Sequence, residues 1–257
     1  MQPIFLKNLS IGYTHNKHLK LVMGKINASL HRGELVALIG TNGAGKSTLL
    51  RTISAYQKPL EGTITYPDGT ESPRTPAELS TQLAVVLTEN NKTLNIKVRE
   101  IVSLGRMPYT NIFGQLRRND NMAIEQAMKM VGIEHLAERL IETLSDGERQ
   151  KTMIAKALAQ ETPAIILDEP TAFLDFQSRV QLMRMLKSLA HEQKKAILVS
   201  THDLELALQI ADKIWLIHNG CLYTGNIDEL TQNGTLQKFI ESDGIRYNSK
   251  QNRIELI

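Results

Sequence analysis

A glycine-rich segment that ends in lysine, serine and threonine has the most specific chemical pattern in the sequence. Its residues are Gly40, Thr41, Asn42, Gly43, Ala44, Gly45, Lys46, Ser47 and Thr48. It follows an apolar run, 35–39, and precedes a helix start, which is the context of a phosphate-binding loop. Its glycines let backbone N–H groups surround phosphate oxygens, and the helix N-terminus adds partial positive charge. Lys46 can reach the β- and γ-phosphates of a nucleotide, and the Ser47 hydroxyl can ligate Mg²⁺.

Two acids end another apolar strand candidate. Asp168 and Glu169 follow the run 164–167. Acids at the carboxyl edge of a parallel strand lie at the crevice where such sheets bind ligands. Asp168 can hold Mg²⁺, usually through water, opposite Ser47, and Glu169 is placed to polarise an attacking water as a general base. The alternative is a solvated turn without chemistry.

A histidine follows a third strand candidate. His202 comes directly after the run 196–200 and Thr201, so we expect it to face the same crevice. An imidazole can donate a hydrogen bond to a γ-phosphate. A structural histidine is the alternative at this position.

A short polar segment, 144–148, begins a predicted helix and is called the signature segment below. Ser145 is a plausible N-cap, and Glu148 completes a capping box with it. The other possibility is that the Ser145 hydroxyl and the Gly147 backbone form a second phosphate-binding surface at the helix N-terminus.

The elements that position these residues alternate between strands and helices. Strand candidates rich in Ile, Val and Leu indicate a sheet that is covered on both faces and therefore largely parallel, an α/β fold. These candidates are 4–9, 26–30, 35–39, 63–66, 82–87, 164–167, 196–200, 213–217 and 222–224. Between about 90 and 158 the apolar spacing becomes helical, including 136–144. Residues 14–20 are expected to form a polar segment outside the strands, and the tail from 242 a polar extension.

Composition limits the classes of function. The chain has 257 residues, enough for one large α/β domain or two small ones. Its net charge of +3 is too small to favour a nucleic acid partner, and we expect none. Cys221 is the single cysteine, which excludes an intrachain disulfide and suits a reducing compartment. We expect neither a signal peptide nor a membrane-spanning helix.

Together these residues resemble the ATP-binding cassette (ABC) ATPase family over nearly the whole chain. The ordered set comprises the phosphate loop, the signature segment, Asp168 and Glu169, the segment 173–175, and His202. Segments 105–109, 159–163 and 173–175, with the signature segment that ends in an acid, resemble the importer branch that serves iron–siderophore, haem and cobalamin permeases. The resemblance implies a phosphate-loop NTPase core with an antiparallel β subdomain and a helical insertion. We therefore expect an ATPase domain over 1–240, its helical subdomain at about 90–158, and a C-terminal extension over 241–257.

The resemblance also implies a head-to-tail homodimer that holds ATP and Mg²⁺ at its interface. Each ATP would lie between one subunit's phosphate loop and Ser145, Asp146, Gly147 and Glu148 of the other. The implied positions are catalytic Lys46, Glu169 and His202, adenine-stacking Tyr13, Mg²⁺ ligands Ser47, Asp168 and Glu89, and Asp175 in a loop at the dimer interface. Opening and closing would follow from a ligand that binds only the closed state tightly.

Two positions depart from the family pattern. Asp146 stands where Gly is usual, and its carboxylate would repel a partner's γ-phosphate unless it points away. Glu89 stands where Gln is usual, and as a stronger Mg²⁺ ligand it is expected to make ATP binding more strictly Mg²⁺-dependent.

The expected function is to power import of a metal chelate through separate membrane permease subunits that work with an external substrate-binding protein. The chain would then be cytoplasmic and peripheral on the inner face of the membrane. Its helical insertion would receive a permease helix, and an exposed apolar patch between Val98 and Phe113 would support this. Two alternatives stay open, a soluble ABC ATPase that serves as an assembly or repair factor, and a nucleotide-binding regulator that does not hydrolyse ATP.

Overall fold

The computed structural model describes residues 3–15, 18–87, 95–111, 113–172, 174–241, 245–248 and 253–256. This part of the chain contains eleven strands, nine α-helices and three 3-10 helices, the longest of which is Leu104–Tyr109. The strands are β1 (Ile4–His15), β2 (His18–Leu30), β3 (Leu35–Gly40), β4 (Glu61–Thr65), β5 (Leu83–Val86), β6 (Ala164–Leu167), β7 (Ala196–Ser200), β8 (Lys213–His218), β9 (Cys221–Gly225), β10 (Ile245–Asn248) and β11 (Arg253–Leu256). The helices are α1 (Lys46–Ile53), α2 (Pro76–Leu79), α3 (Val98–Ser103), α4 (Arg118–Val131), α5 (Asp146–Ala159), α6 (Phe176–Glu192), α7 (Leu204–Ile210), α8 (Ile227–Gln232) and α9 (Thr235–Ile240). None of these described helices is both long and apolar enough to cross a membrane.

A six-stranded sheet forms the centre of the molecule, in the order β5-β6-β7-β3-β8-β9. Its neighbouring strands are parallel except for β9, which pairs antiparallel with β8. Strands β3, β6 and β7 are buried along their whole length because both faces of the sheet are covered. This confirms the predicted largely parallel sheet, and it brings the carboxyl ends of β6, β7 and β3 to one edge.

A three-stranded antiparallel sheet, in the order β2-β1-β4, covers one face of the central sheet. Here the prediction that residues 14–20 lie outside the strands is wrong for the described positions 14, 15 and 18–20. Strands β1 and β2 pair up to His15 and His18, and Tyr13 lies opposite Lys20. An antiparallel pair can carry polar residues on its solvent face, so composition alone did not show that the hairpin continues.

Helices α3, α4 and α5 lie between β5 and β6 in the sequence, where a helical insertion is predicted. They pack together. The helical spacing of residues 136–144 gives only two short 3-10 turns, Glu134–Leu136 and Ile141–Thr143. The backbone of this segment is hydrogen-bonded to residues 96–98 instead. Ile141 N donates to Ile96 O, and Val98 N donates to Arg139 O. Tertiary pairing therefore replaces the helix that the apolar spacing suggests.

The tail forms a hairpin, β10–β11, whose Tyr247 packs into the core beside α8 and α9. The Tyr247 hydroxyl lies 3.3 Å from Thr231 Oγ1. The described part of the tail is therefore more closely packed than its polar composition suggests. The division of the chain at residue 240 stays a prediction.

Candidate nucleotide-binding site

The phosphate loop (residues 40–48) connects β3 to α1. Gly45 has a φ of 108°, and a Cβ at this position would lie 2.6 Å from Val22 Cγ1, so only glycine fits. Lys46 Nζ donates to Gly40 O at 2.9 Å and to Thr41 O at 3.3 Å. The ammonium is thus folded back over its own loop, at the N-terminus of α1.

The electrostatics of Lys46 link the loop to the acids after β6. Burial lowers the pKa of Lys46, while the negative charges of Glu169 and Asp168 act in the opposite direction. The ammonium and the two carboxylates therefore lie close enough to influence one another.

Asp168 and Glu169 leave β6 at the edge where β7 also ends. Asp168 is buried, and its Oδ1 accepts a hydrogen bond of 2.6 Å from Ser200 Oγ. Glu169 adopts a φ of 49° and its Oε1 contacts His202 Nε2. The sequence prediction that these strand ends meet is confirmed.

A cleft of ≈ 670 Å³ lies over the phosphate loop and is called the nucleotide cleft below. Its lining includes Tyr13, Lys20, Leu21, Val22, Asn42, Gly43, Ala44, Gly45, Lys46, Ser47, Thr48, Glu169, His202 and Gly220. The half-exposed Tyr13 extends from β1, and its hydroxyl is hydrogen-bonded to Thr48 Oγ1. This bond ties the aromatic ring to the first turn of α1.

The donors near Lys46 suit a hard cation. Ser47 is exposed in the nucleotide cleft, and Asp168 supplies a carboxylate whose charge reaches Lys46. Oxygen ligands of this kind, with phosphate oxygens, fit Mg²⁺. Glu89, the third predicted ligand, lies outside the described residues.

Among the described residues that line the nucleotide cleft, none belongs to the signature segment. Ser145 caps α5, and its Oγ accepts from Glu148 N at 3.3 Å while Glu148 Oε2 accepts from Ser145 N at 2.9 Å. The predicted capping box is confirmed. The Asp146 carboxylate lies 3.5 Å from Arg149 Nη1. The positive charge of Arg149 therefore compensates the negative charge of Asp146, which stands where Gly is usual.

Asp175 is the exposed N-cap of α6, next to the signature segment. Its carboxylate accepts from Ser178 N at 2.9 Å, and this bond, together with the Ser178 hydroxyl, holds the pKa of Asp175 below its usual value. Leu174 packs against Gly147, where a Cβ would lie 3.1 Å from Leu174 Cδ2. Phe173 lies outside the described residues.

Comparison with known proteins identifies the family. The family model for ABC transporters matches residues 23–172. The chain belongs to the ABC transporter family. It is an ABC ATPase of the importer type, which confirms the resemblance seen in the sequence.

Relatives and a solved structure agree with this assignment. An ABC transporter ATP-binding protein of Methanocaldococcus jannaschii is 46% identical over 214 residues, 83% of this chain and 72% of that protein. The iron(3+)-hydroxamate import ATP-binding protein of Bacillus subtilis is 32% identical over 220 residues, 86% of this chain and 80% of that protein. A dimeric ATP-binding cassette in a post-hydrolysis state with ADP and Pi has a TM-score of 0.76 at 27% identity, covering 87% of this chain and 98% of that chain.

Sequence reasoning missed residues that line or support this candidate site. Lys20, Leu21 and Val22 line the nucleotide cleft because β2 pairs with β1 beside Tyr13. Ser200 was predicted only as the end of a strand. The available signal was a polar residue closing the apolar run 196–199, two positions before His202.

Proposed function

We propose that this ABC ATPase hydrolyses ATP at the interface of a homodimer and thereby powers import of a metal chelate through separate permease subunits. The observation that carries the proposal is the nucleotide cleft itself. It brings Lys46, Glu169, His202 and Tyr13, which come from four separate parts of the sequence, to one surface.

The hydrolytic step is assigned to Glu169. Its carboxylate is partly exposed in the nucleotide cleft, where it can accept a proton from a water that attacks the γ-phosphate. His202, in contact with Glu169, is assigned a hydrogen bond to the γ-phosphate. Lys46 and the backbone N–H groups of the phosphate loop neutralise the phosphate charge. Tyr13 presents a half-exposed ring on which adenine can stack.

Mg²⁺ is assigned to Ser47 and Asp168, with Glu89 as a further ligand. When bound, the ion would neutralise charge that develops on the β- and γ-phosphates. The Glu89 assignment is tested by comparing Glu89→Gln with the parent over a Mg²⁺ titration. The dependence of ATP binding on Mg²⁺ should differ between Glu89→Gln and the parent. Identical titration curves would contradict the assignment of Glu89 as a ligand.

The second surface for each ATP is assigned to the signature segment of the partner. Because this segment lies outside the nucleotide cleft of its own chain, it is available to a second copy. The Ser145 capping box holds the start of α5 in shape, and Asp175 is assigned to the contact between subunits. The dimeric cassette with ADP and Pi supports this arrangement by analogy.

Docking to the permease is assigned to the segment that joins α3 to α4. Met107 and Phe113 are exposed by 64% and 78%, and Arg106 and Tyr109 anchor the segment on either side of Met107. The buried Arg106 bonds Asp120 Oδ1 at 3.0 Å and Ala159 O at 2.7 Å, and its guanidinium lies 4.2 Å from the Tyr109 ring centroid. Exposed apolar side chains on such an anchored segment are typical of a protein interface.

The proposal includes the direction and location of transport. The chain powers import of a metal chelate, attaches to the inner face of the membrane and works in a system with an external binding protein. The Bacillus subtilis relative is an iron(3+)-hydroxamate import protein, which supports this direction of transport and this class of substrate. A soluble ABC ATPase without a permease is the alternative that the following experiment excludes or supports.

The experiment purifies the tagged chain from detergent-solubilised membranes of its own cells and assays uptake of a labelled ferric siderophore by those cells. We expect a polytopic permease at an equimolar ratio, and uptake that stops when the chain is removed. Met107→Glu should reduce permease recovery about tenfold. Met130→Glu is the matched control, because this methionine lies outside the segment that joins α3 to α4. It is ten residues beyond Asp120, the partner of Arg106, which is about 15 Å along the axis of α4. Full ATPase activity with no copurifying permease would favour the soluble alternative.

A further inference from the structure

Ser200 connects the two acids of the site through a single hydroxyl. It is the last residue of β7 and is fully buried. Its Oγ donates to Asp168 Oδ1 at 2.6 Å and accepts from Glu169 N at 2.8 Å. One side chain therefore fixes the carboxylate of the first acid and the backbone of the second.

The position of β7 in the sheet explains this reach. Strand β7 lies between β6, which carries the acids, and β3, which leads into the phosphate loop. Ser200 is opposite Leu38 of β3, one step beyond the pair formed by Val199 and Leu167 of β6. A side chain at this register position is placed centrally between the phosphate loop and the acids.

Three other buried hydroxyls of the molecule bond only locally. Those of Thr52, Thr152 and Thr162 donate to backbone carbonyl oxygens within two to four residues, at 2.8, 2.8 and 2.7 Å. Such bonds satisfy a hydroxyl locally and couple no distant groups. Ser200 instead joins residues 31 and 32 positions away in the sequence.

The two hydrogen bonds of Ser200 act on the backbone of Glu169 and on the carboxylate of Asp168. Glu169 has a φ of 49°, a region that residues other than glycine adopt at some cost in conformational energy. The bond from Glu169 N to Ser200 Oγ stabilises this turn, which aims the Glu169 side chain at His202. The bond to Oδ1 fixes the rotation of the Asp168 carboxylate, so that its direction is set before a cation or nucleotide binds.

We propose that Ser200 is a positioning residue that orients both Asp168 for Mg²⁺ and Glu169 for hydrolysis. The inference rests on the proposed roles of these two acids. It assigns Ser200 no contact with the nucleotide, since its influence passes through its two partners.

The test compares Ser200→Ala with Ser200→Thr, which keeps a hydroxyl on Cβ. Ser54→Ala is the matched control because Ser54 is equally buried and its Oγ has no hydrogen-bond partner among the described residues. Two quantities are measured on the full chain. One is the Mg²⁺ concentration that half-saturates binding of a fluorescent ATP analogue, and the other is kcat for phosphate release. Analogue binding in EDTA and thermal unfolding report on the fold.

Loss of the hydroxyl should raise the half-saturating Mg²⁺ concentration about tenfold and lower kcat about tenfold, as is typical when the hydrogen-bond partner of a metal ligand is removed. Analogue binding in EDTA should change less than twofold. Ser200→Thr should stay within about threefold of the parent, and Ser54→Ala should match it.

Either of two results would overturn the inference. In one, Ser200→Ala keeps the parental Mg²⁺ dependence and kcat; in the other, Ser54→Ala shows the same losses. A parent protein that releases no phosphate would contradict the proposed function and this inference together. An active parent with an unaffected Ser200→Ala variant would contradict the inference alone.

Discussion

His202 Nε2 contacts Glu169 Oε1 at the edge where β7 and β6 end side by side. Both side chains are partly exposed in the nucleotide cleft, so the pair is accessible to a ligand on one side and supported by the sheet on the other. The contact places an imidazole where it can hold the carboxylate in one orientation. The hydrolytic chemistry proposed for this ABC ATPase depends on that pair.

Replacing the proposed general base is expected to stop hydrolysis and preserve binding. Glu169→Gln keeps the shape of the side chain and cannot accept the proton, so phosphate release should fall at least about 100-fold. ATP affinity, measured by fluorescence of a bound analogue, should stay within about threefold. Glu71→Gln, an exposed position in the antiparallel part, is the control and should behave as the parent. Parental phosphate release by Glu169→Gln would mean that another group activates the water.

Removing the imidazole is expected to act through the same step. His202→Ala should lower kcat about tenfold or more with little change in KM. Because the two side chains act as a unit, the double variant with Glu169→Gln should be little slower than Glu169→Gln alone. Steady-state kinetics of the four proteins checks this prediction. Losses that multiply in the double variant would show that the two residues act independently.

The charge of Asp146 is expected to matter only when Arg149 is removed. Their side chains lie 3.5 Å apart on the exposed first turn of α5, so the pair is worth little by itself. Arg149→Ala should raise KM for ATP, by at most about fivefold, because the carboxylate then faces the partner's phosphate uncompensated. Adding Asp146→Asn should restore the parental KM. A double variant as impaired as Arg149→Ala would assign the effect to Arg149 itself.

The buried Arg106–Asp120 pair is expected to stabilise the helical part of the chain in a pH-dependent manner. The N–H of Arg117 and the Arg106 guanidinium hold the pKa of Asp120 below its usual value. A lowered folded-state pKa gives stability that is present above the ordinary aspartate pKa and is lost as pH falls through the lowered value. Asp120→Asn should lower the melting temperature at pH 7 by about 5 °C.

The pH dependence provides the check on that interpretation. The difference in melting temperature between Asp120→Asn and the parent should shrink as pH falls below the ordinary aspartate pKa. Asp228→Asn, a first-turn position in α8, serves as the control with little change expected at either pH. An Asp120→Asn difference that stays constant into acid would assign the loss to packing.

Buried apolar runs made much of this fold predictable. Strands β6 and β7 begin and end at the predicted residues because each is an apolar run with both faces covered, which Ser200 closes in β7. The chemistry at their ends followed from topology, since parallel strands present their carboxyl ends at one edge. For these strands, the local apolar pattern was therefore enough to predict the structure.

Features decided by tertiary pairing were not predictable in the same way. The β1–β2 hairpin continues through polar residues, and the segment 136–144 pairs with 96–98 in place of forming a helix. Tyr247 has few apolar neighbours in sequence and finds them on α8 and α9. The bonds of Ser200 join residues more than thirty positions away, and no local periodicity encodes such a contact.

The mass of Glu169→Gln in solution, with and without Mg²⁺ and excess ATP, tests the proposed closure of two subunits over ATP most directly. Light scattering after size exclusion should give twice 28.8 kDa with Mg·ATP and 28.8 kDa with ADP. ATP that is bound but not hydrolysed would then hold two copies together through the phosphate loop of one and the signature segment of the other. A Glu169→Gln protein that binds Mg·ATP and stays at 28.8 kDa would contradict the proposal.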